Sequence, residues 1–373
     1  MSGSRSCFTV PVHDDAAPDW DVVVVGGRVA GALTAARLAG QGLNILVLDS
    51  VEITSGTIST HFFRGDGLVR SLAELGLLDA VLATGAPPLR AQRFYADGAA
   101  RAPREAAQEP GDAGYCLSVR RAALDPLLAR CVAGMPGVTW HGRRRVVDLI
   151  WQGDAVVGVR DVTGAEHRAP LVVGADGRRS TVARIVGSPV EQYSDGARFM
   201  GYLYVSGWDF PAGEPEAEFS VRGNEIAYVF PSDGGTACVA ASVAAGRAPS
   251  PGDDGERWLR QRLRHHPAFG PRAERARVVG RLVRAPATPD YIRQGAGLGW
   301  ALVGDAGAHQ DPWSGFGMDT AARQADALAA AIAVHGPGTA AMAETYQAAR
   351  DRVTLERWTF TVKTSGDLSV LLS

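Results

Sequence analysis

The chain has 373 residues, 46% of them apolar and 21% charged, which is enough to bury a sizeable core and rules out wholesale disorder. At roughly 150 residues per domain, two interleaved domains are expected. With 38 basic against 40 acidic residues and a net charge of −2, the chain lacks the electrostatic footprint of a nucleic-acid or anionic-membrane binder.

Asp21 to Val25, four consecutive valines closed by Gly26-Gly27, reads as a buried strand. Ala30 to Ala39 reads as a helix with a glycine stop at Gly40 and Gly42. Asn44 to Leu48 is a second buried strand, ending at Asp49. Together these make a βαβ unit with a parallel sheet. Leu68 to Leu78 predicts a helix, and a Gly/Pro/Ala-rich stretch then runs to Gly114. Arg121 to Val132 is helical by pattern, with Leu124, Leu127 and Leu128 together. Val138 to Val173 reads as several strands. Alternation over Tyr202–Val205, Ala217–Val221, Ile226–Phe230 and Ala237–Val243 predicts an antiparallel sheet. Trp258 to Leu263 is a short helix and Trp300 to Val303 a buried strand. Met318 to Ile332 and Ala340 to Trp358 are helical. Nucleotide-type segments thus sit at both ends, with a second sheet inserted between them.

Cys7, Cys116, Cys131 and Cys238 are far apart and form no CxxC, which fits a reducing compartment better than a disulfide frame or zinc knuckle. Met1 to Pro18 has no apolar signal region, and the apolar stretch Ala325 to Val334 is too short to span a bilayer. A cytoplasmic protein without a membrane span is expected. No Ser/His/Asp triad, metal-ligand spacing or Walker loop is visible.

The turn Gly26-Gly27-Arg28-Val29-Ala30-Gly31 follows the pattern G-x-G-x-x-G except at its middle glycine, which is Arg28. Gly26 suits the tight turn, and Gly31 lets the helix lie close on the sheet. The helix N-terminus then offers free N–H groups to a pyrophosphate. Arg28 either turns outward or contacts phosphate itself. Asp49, followed by Ser50, stands where a carboxylate accepts ribose hydroxyls. Leu171 to Gly174 leads into Ala175-Asp176-Gly177, a second strand with an acidic turn. Trp300 to Val303 leads into Gly304-Asp305, and then Pro312-Trp313-Ser314-Gly315-Phe316-Gly317-Met318 opens a helix.

These three turns, in this order, resemble the fingerprints of group A, p-hydroxybenzoate hydroxylase-like, FAD-dependent monooxygenases. Ile58-Ser59-Thr60-His61 resembles a segment of an actinobacterial subgroup. The resemblance implies an α/β (α+β) fold: a Rossmann-like FAD-binding domain with a parallel sheet, an inserted antiparallel-sheet substrate domain, and C-terminal helices. The discontinuous FAD-binding domain would comprise 19–85, 115–190 and 280–335. The substrate domain would comprise 86–114 and 191–279, and 336–373 would be a C-terminal helical segment.

The resemblance also assigns roles. Asp49 would bind the adenosine ribose, with Gly26, Arg28, Val29, Ala30, Gly31, Ser50 and His61 around the adenylate and flavin. Arg121 or its neighbour Arg120 would contact FAD. Val146 would lie against the adenine. Asp176 and Gly177 would face FAD and the pyridine nucleotide. Gly304 and Asp305 would hold the ribityl chain, and Pro312, Gly315, Gly317 and Met318 would pass under the isoalloxazine. His309 and Pro312 are the catalytic candidates. Tyr202, Tyr204, Trp208, Tyr228 and Phe230 are aromatic candidates for the substrate wall. Ser180 and Ser314 read as turn caps, and Arg143-Arg144-Arg145 as a solvated strand edge.

The implied activity is that of an EC 1.14 oxidoreductase. NAD(P)H, bound transiently, and O2 would serve a flavin C4a-hydroperoxide that hydroxylates or epoxidises a small apolar or aromatic substrate of secondary metabolism, such as antibiotic biosynthesis. Whether the substrate rides on a carrier protein is open. Three alternatives stand beside it. One is a C=C reductase of the geranylgeranyl reductase type. Another is a flavin-dependent halogenase, although Ile226 to Pro231 lacks the Trp-x-Trp-x-Ile-Pro signature and Lys363 is the sole lysine. The third is a catalytically idle FAD-binding protein.

Overall fold

The computed structural model describes residues 19–52, 62–106, 112–211 and 215–372. Its centre is a sheet of six strands. Their order is Ala296–Gly297, Trp300–Leu302, Leu171–Gly174, Val22–Val25, Ile45–Leu48, Val138–His141. All neighbours pair parallel except the short Ala296–Gly297 strand at the edge. The two inner strands of the βαβ unit, VVVV and ILVL, are buried at every position, as expected when both faces of a parallel sheet are covered. Val22, Val24, Ile45 and Val47 face a helical layer that includes Val29–Ala39, Arg121–Ala133 and Gly317–His335. Val23, Val25, Leu46 and Leu48 face the other way, onto an antiparallel three-stranded sheet (Val146–Gln152, Ala155–Asp161, Glu166–Arg168) through Leu149, Val156 and Val159.

The inserted sheet has eight strands built around Arg198–Ser206, Glu216–Arg222, Glu225–Pro231 and Thr236–Ala244. It is antiparallel except where Ala91–Ala96 joins Glu216–Arg222 in parallel, so the Gly/Pro/Ala-rich stretch also supplies strands. Its outermost strand, Arg277–Ala285, crosses the expected 279/280 boundary. Period-two alternation divides the side chains cleanly. Leu203, Val205, Val229 and Val239 pack on Leu259 and Leu263, which share one face of the helix Gly255–Arg264, and on Phe269 and Ala273. Tyr202, Phe219, Tyr228, Phe230 and Cys238 take the opposite face, toward Phe62 and Trp313.

One expected element breaks. Instead of a helix over Leu68–Leu78, a π-type turn at Gly65–Val69 runs into a helix at Arg70–Glu74, and a second helix follows at Leu78–Leu82. Gly76 sits between them at φ +65°, a conformation that ends a helix. The C-terminal pair, Gly317–His335 and Ala340–Ser365, is separated by Gly336 and Gly338, both at positive φ. Thr339 caps the second helix by accepting from the Met342 amide. Among the described residues no helix is long and apolar enough to cross a membrane.

Candidate functional site

A cavity of about 610 Å³ is lined by residues at the carboxyl ends of the parallel strands and by residues of the inserted sheet. The βαβ turn builds one end. Gly26 has φ +97°, and a Cβ there would lie 2.5 Å from the Ala175 carbonyl oxygen. A Cβ on Gly31 would lie 1.8 Å from the Gly26 carbonyl oxygen, so Gly31 serves the helix–strand approach and does not line the cavity. The helix that starts at Val29 carries no acidic residue in its first turn, leaving its positive end open to an anion. Arg28, Val29 and Ala30 line the cavity there, with Arg28 Nη1 3.6 Å from Asp125 Oδ2.

Asp49 and Ser50, at the end of the second strand, line the same end. Of the two rival arginines, Arg121 lines the cavity and is locked by Asp125 in a bidentate pair of 2.5 and 2.9 Å. Arg120 turns to Asp233, which accepts from its amide and from its Nε at 2.7 Å each. Val146 lines the cavity, and so does Arg145, which is exposed, in keeping with the reading of a solvated strand edge. A turn at Gly142–Arg143, with Arg143 at φ +56°, leads into this segment.

The second acidic turn brings Asp176 and Gly177 to the middle of the cavity, with Arg178, Arg179 and Thr181 beside them. Asp176 Oδ2 accepts from the Thr181 amide at 2.7 Å, and its Oδ1 is buried without a hydrogen-bond partner among the described residues. Burial pushes its carboxyl above the usual range. Ser180 caps the following short helix through the Ala183 amide at 2.9 Å. Ser314 Oγ donates to the Asp311 carbonyl oxygen across the Pro312–Ser314 turn at 3.4 Å and accepts from Thr361 Oγ1 at 2.8 Å.

The third turn closes the far end. Gly304, Asp305, Pro312, Gly315, Gly317 and Met318 all line the cavity. His309 lines it too and is 5% exposed. Its Nδ1 lies 2.9 Å from the Pro289 carbonyl oxygen, which can only accept, so Nδ1 carries the proton and Nε2 is left as an acceptor. Burial lowers its pKa, holding the ring neutral. His61 lies outside the described residues.

From the inserted sheet, Met200, Tyr202 and Ala285 form the cavity roof, followed by Pro286 and Thr288, with Gln310 opposite. Tyr202 is thus the one aromatic candidate of the five that lines this cavity. Tyr228 and Phe230 belong to a ring cluster with Phe62 and Phe219, and Trp208 packs on Phe269 across the sheet.

The residues present fit FAD. The glycines keep backbone close at a helix N-terminus, Arg28 and Arg121 supply cations beside it, and Asp176 presents a buried oxygen without a partner among the described residues. Three turns far apart in sequence and one parallel sheet, meeting at a single cavity, define an FAD-dependent oxidoreductase. The chain belongs to the FAD binding domain family, whose model matches residues 19–360.

It is similar to digeranylgeranylglycerophospholipid reductase of Methanosarcina acetivorans, with 25% identity over 95% of this chain and 84% of that protein. It is also similar to 3-(3-hydroxy-phenyl)propionate/3-hydroxycinnamic acid hydroxylase of Mycolicibacterium smegmatis, with 28% identity over 88% of this chain and 58% of that protein. Among solved structures, p-nitrophenol 4-monooxygenase PnpA from Pseudomonas putida shares the fold with a TM-score of 0.75 and 22% identity, over 95% of this chain and 89% of that one. The myxobacterial chondrochloren halogenase CndH shares it with a TM-score of 0.78 and 23% identity, over 92% and 80%.

Proposed function

We propose that the protein is a monooxygenase that uses NAD(P)H and O2 to hydroxylate or epoxidise a small, largely apolar organic molecule. The observation that carries this reading is the continuity of the cavity. The space beside the third turn opens directly onto Met200, Tyr202 and Ala285 of the inserted sheet. Bound FAD supplies hydride acceptance and oxygen activation.

The chain's own residues do the rest. Asp49 and Ser50 hold the adenosine ribose, Val146 borders the adenine, and Arg28 and Arg121 neutralise the pyrophosphate. Asp176, Gly177, Gly304 and Asp305 hold the middle of the cofactor. Pro312, Gly315, Gly317 and Met318 form the floor beneath its ring. The N-terminus of the helix Gly317–His335 places positive partial charge at that floor. The apolar roof keeps water from the reacting end. His309 Nε2 accepts a proton or hydrogen bond from a polar group on the substrate.

A second reading is favoured by the coverage of the Methanosarcina reductase match, which spans nearly all of this chain and most of that protein. In it, the same site reduces a C=C bond. Halogenation is disfavoured because Lys363, the sole lysine, is exposed on the last helix, so no lysine lines the cavity. The test is to purify the yellow protein and follow NADPH oxidation with candidate substrates in air and under anoxia. Oxygenated product that vanishes under anoxia supports the proposal, whereas a saturated product formed without oxygen selects the reductase reading. NADPH oxidation unmoved by any added molecule would indicate an idle FAD-binding protein.

A further inference from the structure

The loop under the cavity is held from behind by its carbonyls. Tyr228 Oη donates to the Trp313 carbonyl oxygen at 2.6 Å. Arg64 Nη2 donates to that of Ser314 at 3.1 Å, and Arg64 Nη1 to that of Gly315 at 2.9 Å. Three successive carbonyls are therefore bound by side chains remote in sequence. Gly315, at φ +69°, makes the left-handed turn that follows. The chain then enters the helix Gly317–His335, whose first residues, Gly317 and Met318, line the cavity.

Arg64 is itself fixed. Its amide donates to both carboxylate oxygens of Asp319 at 3.1 Å, and its Nη1 lies 3.7 Å from Asp319 Oδ2. Asp319 is fully buried in the first turn of the same helix and also accepts from the Leu68 amide at 3.1 Å. The Arg64 guanidinium lies 4.3 Å from the Phe316 ring centroid, giving a cation–π contact inside the loop. Arg357 lies 5.1 Å from the same ring, but its guanidinium is committed to Asp66.

Each peptide carries a dipole, and a carbonyl turned toward the cavity would repel negative charge there. The Trp313 and Gly315 amides are bonded to Asp311 and to the Pro312 carbonyl oxygen, so with three carbonyls tied away the first N–H groups of the helix Gly317–His335 give the floor its polar character. We propose that Arg64 is a positioning residue that fixes the polarity of this loop, and thereby stabilises the reduced, anionic state of the cofactor. This rests on the FAD reading above.

The test uses holoprotein and measures the midpoint potential by equilibration with a reference dye, together with the visible spectrum. Arg64→Met should disfavour reduction by about tenfold in the equilibrium constant, which is about 30 mV for a two-electron couple. Its visible bands should shift as well. Arg64→Lys, keeping the charge and a donor, should recover part of the loss. Tyr228→Phe, which removes the third tie without changing charge, should move the potential the same way by less. Arg357→Met should leave it near the wild-type value. If Arg64→Met fails to fold or to hold FAD, the Lys and Phe variants carry the test, and unshifted potentials in both overturn the proposal. An unshifted potential in yellow Arg64→Met protein, or an equal shift in Arg357→Met, also overturns it while leaving the FAD reading intact. A wild-type protein that refuses FAD overturns both.

Discussion

Asp49 Oδ2 accepts a 2.7 Å hydrogen bond from the Gly27 amide, joining the end of the second strand to the turn after the first. Its Oδ1 accepts from the Val51 amide at 3.0 Å. The carboxylate thus shapes the phosphate-binding turn and keeps lone pairs for a ribose. Asp49→Asn should weaken FAD binding by about tenfold to a hundredfold, the scale of one or two charge-assisted hydrogen bonds. Fluorescence titration of the apoprotein with FAD reads this directly, and an unchanged affinity would remove Asp49 from the site.

Gly31→Ala places a Cβ 1.8 Å from the Gly26 carbonyl oxygen, too close to accommodate without moving the first helix off the sheet. A loss of about 2–3 kcal/mol in stability is expected, as for overpacking elsewhere, together with loss of bound flavin. Thermal melting with and without FAD checks both. Wild-type behaviour in the variant would mean that the helix lies farther from the strand than described.

Arg121 and Asp125 are both buried and paired bidentately. Asp125→Ala takes the carboxylate away from a buried guanidinium and should cost about 3–5 kcal/mol. The FAD pyrophosphate supplies replacement negative charge, so saturating FAD should narrow the gap in melting temperature between variant and wild type. A gap that FAD leaves unchanged would show that Arg121 does not meet the phosphates.

Asp290 is fully buried, and its carboxyl is pushed up to about 7, first by burial and then by the charge of Asp311, itself pushed up to about 6. These two carboxyls therefore hold more protons in the folded protein than in the unfolded chain between about pH 4 and 7, and their contribution to stability falls as pH rises through that interval. Asp290→Asn should flatten the decline and be more stable than wild type at pH 8. Urea unfolding at pH 5, 6, 7 and 8 measures the slope. Parallel curves for the two proteins would remove Asp290 as its source.

His309, neutral and donating through Nδ1 to Pro289, has only Nε2 to offer a ligand. His309→Phe should leave FAD affinity unchanged and lower kcat/KM by roughly a hundredfold for substrates with a hydroxyl near the reacting carbon. Substrates without one should lose little. An equal loss for both classes would assign the residue to packing.

Much of this molecule was legible in its residues because the relevant signals are local. Runs such as Val22–Val25 and Leu171–Gly174, each closed by glycine, mark buried parallel strands, and Gly26 and Gly31 meet steric demands of a single turn. The helix expected over Leu68–Leu78 fails because Gly76 adopts positive φ and Gly67 is pressed against Asp319, 252 positions away; apolar spacing does not register such a contact.

The choice between Arg120 and Arg121 belongs to tertiary structure. Arg120 is the N-cap with extended backbone while Arg121 opens the helix, so the two side chains diverge and the docking of that helix on the sheet decides which one meets the cavity. The same holds for the roof and the floor. Tyr202 and Tyr228 lie on one face of the inserted sheet at the same register, both level with Ala240 of the strand between them, and only the position of their strands separates a lining residue from a core one. Arg145 and Arg64 carry no motif at all, because a guanidinium on a long side chain acquires its role from whichever carbonyl, carboxylate or cavity the folded chain sets within reach.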